Sequence, residues 1–518
     1  MESLISKEYK NDFVNSFNGD ESGDLKPRQT PGVLYSKAIP TPVKKPALLA
    51  WSEELAAQLG IQKPAAQQEI DVLGGNFITE TMHPYAACYA GHQFGHWAGQ
   101  LGDGRAITLG EWETAEGKVW ELQLKGAGPT PYSRRADGRA VLRSSVREYL
   151  MSEAMHYLGV PTTRALSLAA TGDKVLRDMF YNGNAAHEPG AIVMRVAPSF
   201  LRFGNFELLN ARKETDNLRK LVDWTIARYY PHIQVEDKVL PWFKEVVERT
   251  AILMVEWQRV GFVHGVMNTD NMSVLGLTID YGPYSFLDDY DPDFTPNTTD
   301  LPGRRYAFGK QPSVAYWNLG CLAGALLPVA DKDQLLEALE TYKEIYWAKY
   351  YAMMGNKLGL DQVSEADISL ITQFEETLAA IKPDMTIFFQ LLIDLPLYME
   401  NEQEVANYFK TALYDDLKPE ESSQLYTLIT TYLERLNKNT IKQEDSQQLM
   451  RKTNPRFILR NYLLHQAIEE LERGENKLFL KLQEAIRDPY SKNFDAFFET
   501  RPGWASQKAG CSMLSCSS

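Results

Sequence analysis

The sequence predicts an α+β fold in which a β-rich first part precedes a helical second part. Residues 105–128 alternate apolar and polar side chains around a turn at Glu116-Gly117, which is the pattern of a β-hairpin. After residue 310 the apolar residues recur at helical spacing, and a capping-box pattern at Ser364 and Asp367 marks one helix start. Because the two patterns occupy different parts of the chain, we expect a mixed α/β part followed by a helical part.

The other elements are predicted from local patterns. Residues 1–80 are polar and proline-dotted, which indicates an extended lead-in with one short helix that ends at Gly60. Residues 143–160 have helical spacing, and residues 191–198 have strand character. The predicted division of the 518 residues is a lead-in at 1–80, a β-rich lobe at 81–205, a second lobe at 206–330, a helical region at 331–500 and a flexible cysteine-containing tail at 501–518.

Net charge limits the classes of partner. The chain has 54 basic and 68 acidic residues, so its formal charge is 54 − 68 = −14. This balance argues against non-specific binding to nucleic acid or to an anionic membrane, because both need a basic surface. A local basic pocket is still compatible with it.

Cysteine usage and the N-terminus predict a cytoplasmic protein. The cysteines, Cys88, Cys321, Cys511 and Cys516, are too few and too scattered for a disulfide framework. The first residues lack the apolar stretch of a secretory signal. No apolar run reaches the roughly 18 residues that span a bilayer.

Gly102-Asp103-Gly104-Arg105 precedes the predicted hairpin. Glycines allow backbone N–H groups to approach phosphate oxygens, and an adjacent arginine adds positive charge. The tetrad therefore predicts a nucleotide loop, with an ordinary glycine turn as the alternative.

Lys125 ends the second hairpin strand, and Glu148 lies inside the following predicted helix. A strand lysine held by a helix glutamate is how kinase-like folds direct an ammonium group at ATP phosphates. The intervening segment is rich in arginine, which indicates either a positive patch or a solvated charged face. These arginines are Arg134, Arg135, Arg139, Arg143 and Arg147.

Arg195 and Arg202 lie seven residues apart in "MRVAPSFLRFGNFE". Arginine suits bidentate recognition of phosphate, although surface arginines would show the same spacing. Asp137-Gly138, within the arginine-rich segment that follows Lys125, is most simply interpreted as a turn.

The segment from His264 to Asp280 has the strongest catalytic pattern. Asp270 and Asn271 lie in a polar loop, and an apolar, strand-like stretch then leads to Asp280 in Asp-Tyr-Gly. Kinases hold metal-bound ATP with a similar order of loop, strand and Asp-aromatic-Gly. Carboxylate and amide oxygens suit Mg²⁺. The alternative is a helix-loop-strand with ordinary turn residues, but a charge after a buried strand would then be costly.

His92 and His96 offer a different metal site. Their i, i+4 spacing would suit zinc on a helix. The intervening Gln-Phe-Gly supplies no glutamate base, and its glycine disfavours a helix, which argues against a metal hydrolase.

Taken together, these motifs resemble the selenoprotein O family (SelO, called YdiU in bacteria). The resemblance runs from about residue 30 to the end of the chain. It rests on "YAGHQFGHWAGQLGDGRA", "LQLKGAGPTPYSRRADGRAVLRSSVREYL", "MRVAPSFLRFGNFE", "HGVMNTDN", "DYGPYSFLDDYDP", "NPRFILRNYLLHQAIE" and the terminal "SCSS".

The resemblance implies a protein-kinase-like fold that binds ATP in reverse orientation and transfers AMP to Ser, Thr or Tyr of proteins. Asp270 would be the base, and Asn271 and Asp280 would bind Mg²⁺ or Mn²⁺. Self-modification is possible, and neither nucleic acid nor membrane is an expected partner. The implied nucleotide contacts are Gly102, Gly104, Arg105, Lys125, Asp137, Gly138, Glu148, Arg195, Arg202 and Asp280.

Other functions stay open on the sequence. The same residues would serve a protein kinase or a UMP transferase, and a regulatory ATP-binding pseudokinase is a non-enzymatic alternative. Cys516 matches the selenocysteine of animal members. The loop "DPDFTPNTTD" lacks the cysteine that some bacterial relatives have there, so a redox latch is not expected. Cys511 is expected to be a free thiol on a mobile tail.

Overall fold

An eight-stranded sheet forms most of the first lobe in the computed structural model, which describes residues 1–179, 182–511 and 513–515. The strand order is β1-β2-β4-β7-β8-β10-β9-β3; β1 and β2 are parallel, and the other neighbours are antiparallel. The strands are β1 (Gly19–Asp20), β2 (Tyr35–Lys37), β3 (Ala47–Trp51), β4 (Tyr85–Ala87), β5 (Ala90–Gln93), β6 (His96–Gln100), β7 (Ala106–Glu113), β8 (Val119–Lys125), β9 (Arg164–Arg177), β10 (Ala186–Ala197), β11 (Phe262–Val263) and β12 (Ser285–Phe286).

Helices dominate the rest of the chain. The predicted α+β fold, with a β-rich lobe, a helical lobe and a helical extension, is confirmed. The helices are α1 (Asp12–Ser16), α2 (Glu53–Leu59), α3 (Gln67–Leu73), α4 (Leu142–Tyr157), α5 (Phe203–Ala211), α6 (Thr215–Tyr229), α7 (Val239–Val260), α8 (Gln311–Leu326), α9 (Lys332–Lys357), α10 (Glu365–Ile381), α11 (Met385–Ile393), α12 (Glu402–Phe409), α13 (Pro419–Leu436), α14 (Gln443–Thr453), α15 (Asn461–Glu472) and α16 (Lys477–Ala485). Within the described residues, no helix combines the length and the apolar character that a membrane span needs.

Helix α4 is buried although it carries many charges. It packs against β9, β10 and α15. Its buried Glu153 accepts bonds of 2.7 and 2.8 Å from Arg164, and its Arg147 donates to Asn461 Oδ1 at 2.9 Å and to the Tyr284 carbonyl at 3.0 Å. Because these charges are partnered, the helix can lie in the core. The helical extension thus braces the helix that carries Glu148.

The expected lead-in is part of the sheet, which corrects the prediction for residues 1–80. Strands β1, β2 and β3 all join it. Phe13 is buried and stacks on Tyr85 at a centroid distance of 5.4 Å, and Leu4 is buried as well. The short predicted helix begins only at Glu53, because the preceding apolar residues form an edge strand. Sequence polarity was misleading here because few, widely spaced apolar residues make the contacts.

The described part of the tail is docked, which corrects the expectation of a mobile segment. Leu514 is buried, donates its N–H to the Pro296 carbonyl at 2.8 Å and accepts from the N–H of Thr298 at 2.8 Å. Cys511 is a buried free thiol. Cys516 lies outside the described residues.

A buried carboxyl pair in the sheet makes stability pH-dependent. Glu111 and Glu121 are register partners on β7 and β8. Burial, reinforced by the charge of Glu111, raises the pKa of Glu121 from 4.5 to about 8. Between these two pH values the unfolded chain releases a proton that the folded chain retains, so the contribution of Glu121 to stability falls as pH rises through this window.

We expect Glu121→Gln to remove this loss, because the amide is a neutral isostere of the protonated acid. The free energy of unfolding of the variant, relative to that of the wild type, should therefore increase with pH. Between pH 4.5 and about 8 the increase should be up to about 1.4 kcal/mol per pH unit. Chemical denaturation at pH 5 and pH 8.5 measures it. Glu113→Gln, at a more exposed position of the same hairpin, is the control. An equal effect of both variants would contradict the assignment of this pH dependence to Glu121.

Candidate active site

A cluster of buried charges lies where β8, β10 and α4 face the loop that ends at Asp280. Lys125 Nζ is 2.8 Å from Glu148 Oε2 and 3.4 Å from Asp280 Oδ1. The structure therefore brings together a strand lysine, a helix glutamate and the aspartate of Asp-Tyr-Gly. This is the arrangement of kinase-like nucleotide sites.

Two buried arginines complete the cluster. Arg195, on β10, lies 3.1 Å from Glu148 Oε1 through Nη1, and the same nitrogen donates to Asp280 Oδ1. Arg202 Nη1 donates to Asp280 Oδ2 at 2.5 Å and to the backbone carbonyl of Asp270 at 2.7 Å. The sequence pattern left open whether these arginines face solvent; both side chains are in fact only 2% exposed.

Asp280 is the centre of the cluster. Burial opposes its charge, but Arg202, Arg195 and Lys125 outweigh that cost and hold the pKa of the carboxyl well below its usual range. Its φ of 59° is in the left-handed region, which non-glycine residues seldom adopt. The strand predicted before it is not formed: residues 272–279 make only isolated bridges, through Ser273 and Thr278.

His264 stabilises the backbone of the segment from Val266 to Ile279, which precedes Asp280. It is buried, and its Nε2 lies 2.9 Å from the Ile279 carbonyl, while Nδ1 accepts from the N–H of Val266 at 3.3 Å. One neutral tautomer, with the proton on Nε2, satisfies both contacts. His264 thus orders the backbone on both sides of the loop and does not face the cluster as a ligand.

Asp270 and Asn271 lie in a short 3₁₀ turn, Thr269–Asn271. Burial raises the pKa of Asp270 to about 6. Its Oδ2 accepts from Gln93 Nε2 at 3.1 Å, and its Oδ1 has no partner among the described residues. A buried carboxylate with a raised pKa and few hydrogen bonds is suited to accept a proton.

The hairpin of β5 and β6 covers this turn, and the sequence did not predict that role. The N–H of His92 donates to Thr269 Oγ1 at 2.7 Å, and the N–H of Phe94 donates to Tyr306 Oη at 2.9 Å. A Cβ on Gly91 would come within 2.8 Å of Asp270 Oδ1, so only glycine permits this approach. The closely spaced Gly91 and Gly95 were the sequence signal that could have indicated this close approach.

Gly102 and Gly104 pack against a neighbouring loop. A Cβ on either would come within 2.8 Å or less of Tyr132 atoms, so their present contacts explain why they are glycines. Asp103 between them is buried and points inward, where Gln123 donates to it at 3.3 Å. Arg105 is half-buried, and its side chain makes no hydrogen bond or ion pair with the described residues.

Gln123 and Asp103 are cluster residues that the sequence interpretation did not select. Gln123 lies two residues before Lys125 on β8 and accepts a hydrogen bond from Arg195. Asp103 Oδ1 is 3.9 Å from Arg202 Nη2. The signal was present: polar residues at 121, 123 and 125 alternate along a buried strand and so share one face.

Asp137 and Gly138 lie away from the cluster. Asp137 is half-exposed and forms a two-bond ion pair with Arg177 at 2.7 and 2.8 Å. Gly138 has a φ of 68° and approaches the Gly128 carbonyl, where a Cβ would be 2.1 Å away. Their proposed nucleotide contacts remain predictions.

The histidine pair of the alternative metal site does not form. His92 and His96 lie on the two strands of the hairpin, not on a helix, and His96 is exposed. The donors for a hard cation are elsewhere. Asn271 Nδ2 donates to the Val266 carbonyl at 2.9 Å, which leaves its Oδ1 available, and Asp280 is ionised. Such oxygens fit Mg²⁺ or Mn²⁺.

Comparisons with known proteins agree with the motif resemblance. A family model described as "Protein adenylyltransferase SelO" matches residues 28–487. Proteins named "Protein nucleotidyltransferase YdiU" are similar over nearly their whole length. The one from Cytophaga hutchinsonii is 60% identical, covering 100% of both chains. That of Azoarcus sp. is 51% identical over 98% of this chain and 99% of its own.

A third relative of the same name, from Nitrosospira multiformis, is 48% identical over 99% of this chain and 97% of its own. Among solved structures, ROP2 from Toxoplasma gondii, a virulence factor with a protein-kinase fold, is 12% identical, with a TM-score of 0.24 over 57% of this chain and 86% of its own. The family model and the full-length relatives confirm the resemblance: the chain belongs to the SelO family of protein adenylyltransferases.

Proposed function

We propose that this chain transfers AMP from ATP to hydroxyl side chains of proteins and releases pyrophosphate. The observation that carries the proposal is the buried group of Lys125, Arg195 and Arg202 around Asp280, beside Asp270, whose pKa is raised by burial. Family membership supports the class of reaction, and the cations and oxygens of the cluster would bind a triphosphate and a metal.

The cations would bind phosphate oxygens. Lys125 is held by Glu148, and burial lowers its pKa in spite of that partner. Arg195 and Arg202 both contact Asp280, so phosphate and metal together would replace those ion pairs. Asn271 and Asp280 would hold Mg²⁺ or Mn²⁺, which supplies charge stabilisation at the reacting phosphorus.

Asp270 would act as the base. The acceptor hydroxyl oxygen attacks the α-phosphorus, the bond to the bridging oxygen breaks, and pyrophosphate leaves with the bond electrons. The hydroxyl proton passes to the carboxylate of Asp270. With a pKa of about 6, this carboxyl is mostly ionised at pH 7 and still basic enough to take the proton.

Intact-mass measurement after incubation with ATP and Mg²⁺ or Mn²⁺ tests the proposal, first on the protein itself and then on a protein mixture. Transfer of AMP adds roughly 329 Da per site, whereas a kinase would add roughly 80 Da. UTP assayed in parallel separates a UMP transferase. ATP binding with no covalent product would favour the regulatory pseudokinase.

Gln93 should set the pH dependence of transfer through Asp270. Its hydrogen bond favours the ionised carboxyl, so Gln93→Leu should raise the pKa of Asp270 and shift the acidic limb of kcat upward by about one pH unit. The pH–rate profile measures this shift. His96→Gln is the control, because His96 is exposed on the other strand of the same hairpin. This variant should leave the pH of the acidic limb unchanged. An unshifted limb in Gln93→Leu would contradict the role.

A further inference from the structure

Three potential metal ligands meet beside the hairpin, outside the nucleotide cluster. They are His92 on β5, Glu207 on α5 and Cys321 on α8, and their donor atoms all lie within 4.8 Å of one another. From this geometry we propose a second metal site, for a thiolate-accepting divalent ion of the zinc class.

The donor set selects the class of ion. Nitrogen, carboxylate oxygen and thiolate sulfur together suit Zn²⁺ and ions like it, whereas Mg²⁺ prefers oxygen alone. Ligands around tetrahedral zinc are about 3.3–3.6 Å apart, as bond lengths of about 2.0–2.3 Å require. His92 Nδ1 and Glu207 Oε1 are now 2.5 Å apart, so binding needs side-chain shifts of about 1 Å. The thiol proton of Cys321 is released to solvent when the metal binds.

A second observation supports a ligand at this position. Glu207 is 4% exposed, and its Oε2 makes no well-formed hydrogen bond with the described residues. The nearby Thr269 hydroxyl lowers the carboxyl's pKa, but burial outweighs it and the pKa is raised overall. Leaving a buried carboxylate oxygen unpartnered is costly, and a bound cation would satisfy it.

The surroundings leave room for a further ligand. The three side chains line one cleft of about 540 Å³, whose rim includes the exposed rings of Trp97 and Trp317. Water from this cleft could complete a four-coordinate site.

A metal at this site would connect β5, α5 and α8, and through β5 it would also contact the turn Thr269–Asn271. His92 also donates its N–H to Thr269, next to Asp270. A metal on His92, Glu207 and Cys321 would therefore hold the hairpin against α5 and α8. We assign it a structural role, with the nucleotide metal bound separately at Asp280.

Cobalt substitution on the full-length, reduced protein tests the proposal. Co²⁺ bound to a thiolate absorbs in the near ultraviolet through sulfur-to-metal charge transfer, whereas Co²⁺ on the oxygen ligands of Asp280 does not. We expect one equivalent of Co²⁺ to produce this band, and Zn²⁺ to abolish it. The band should persist in Asp280→Asn.

Matched thiol variants locate the site. Cys321→Ser should lose the band, while Cys511→Ser and Cys516→Ser should retain it. Glu207→Gln keeps the thiol and should weaken Co²⁺ binding by about tenfold or more. Melting curves without metal establish that each variant is folded. Absence of the band in the wild type, or its persistence in Cys321→Ser, would overturn the proposal and leave only a His–Glu hydrogen bond.

Discussion

Asp280→Asn should lower the rate of AMP transfer by about a thousandfold or more. The substitution removes the ionised ligand that would hold the nucleotide metal, and with it the charge stabilisation at the reacting phosphorus. Asparagine is the suitable replacement because it tolerates the left-handed φ of 59° at this position and keeps the side-chain shape. Single-turnover transfer, followed by intact mass, measures the loss.

The same substitution should preserve ATP binding in the absence of metal. Asp280 at present neutralises Arg195 and Arg202, so removing its charge frees both cations for phosphate oxygens. Equilibrium binding of ATP in EDTA tests this. The matched control is Asp291→Asn, which removes an aspartate that lies beyond β12 and pairs with the exposed Lys382. A wild-type transfer rate in Asp280→Asn would exclude its proposed role as a metal ligand.

Asp270→Asn should lower transfer by about 10²- to 10⁴-fold, the usual contribution of a general base. In the wild type the rate should rise with pH and reach half its plateau near pH 6, because only the ionised carboxyl accepts the proton. The variant should lose this limb, since an amide does not titrate. Transfer rates measured from pH 5 to pH 8 provide the check.

Binding measurements separate this role from a structural one. The asparagine oxygen can still accept the hydrogen bond from Gln93, and the backbone carbonyl that Arg202 contacts is unchanged. We therefore expect unchanged ATP affinity and an unchanged melting temperature. If the variant retained the acidic limb, another group would have to be the base.

Several positions of the candidate site could be predicted because short-range rules place them. Lys125 ends an alternating strand, Glu148 lies on a regularly spaced helix, and Asp270 follows a helix in a polar turn. Each of these patterns spans only a few residues. The family motifs then linked them, and the structure brings Lys125 within 3.4 Å of both Glu148 and Asp280.

Other predictions stayed open or failed because nearby sequence does not report distant packing. The contacts of Gly102 and Gly104 with Tyr132 explain their lack of side chains, and their role as a nucleotide loop stays a prediction. The stretch before Asp280 is apolar because it is buried, not because it pairs as a strand. Polar composition also hid the contribution of residues 1–80 to the sheet.

The sequence by itself determined the fold class and the family, and it selected most charged residues of the buried cluster around Asp280, because periodicity and motif order are local properties of the chain. Only the tertiary structure decided that Gln93 reaches Asp270 across 177 residues and that Asp103 and Gln123 belong to the cluster. It also decided that His92 meets Glu207 and Cys321 rather than His96. Such contacts depend on how the hairpin, the sheet and helices α5 and α8 pack together, and no spacing within one segment encodes that packing.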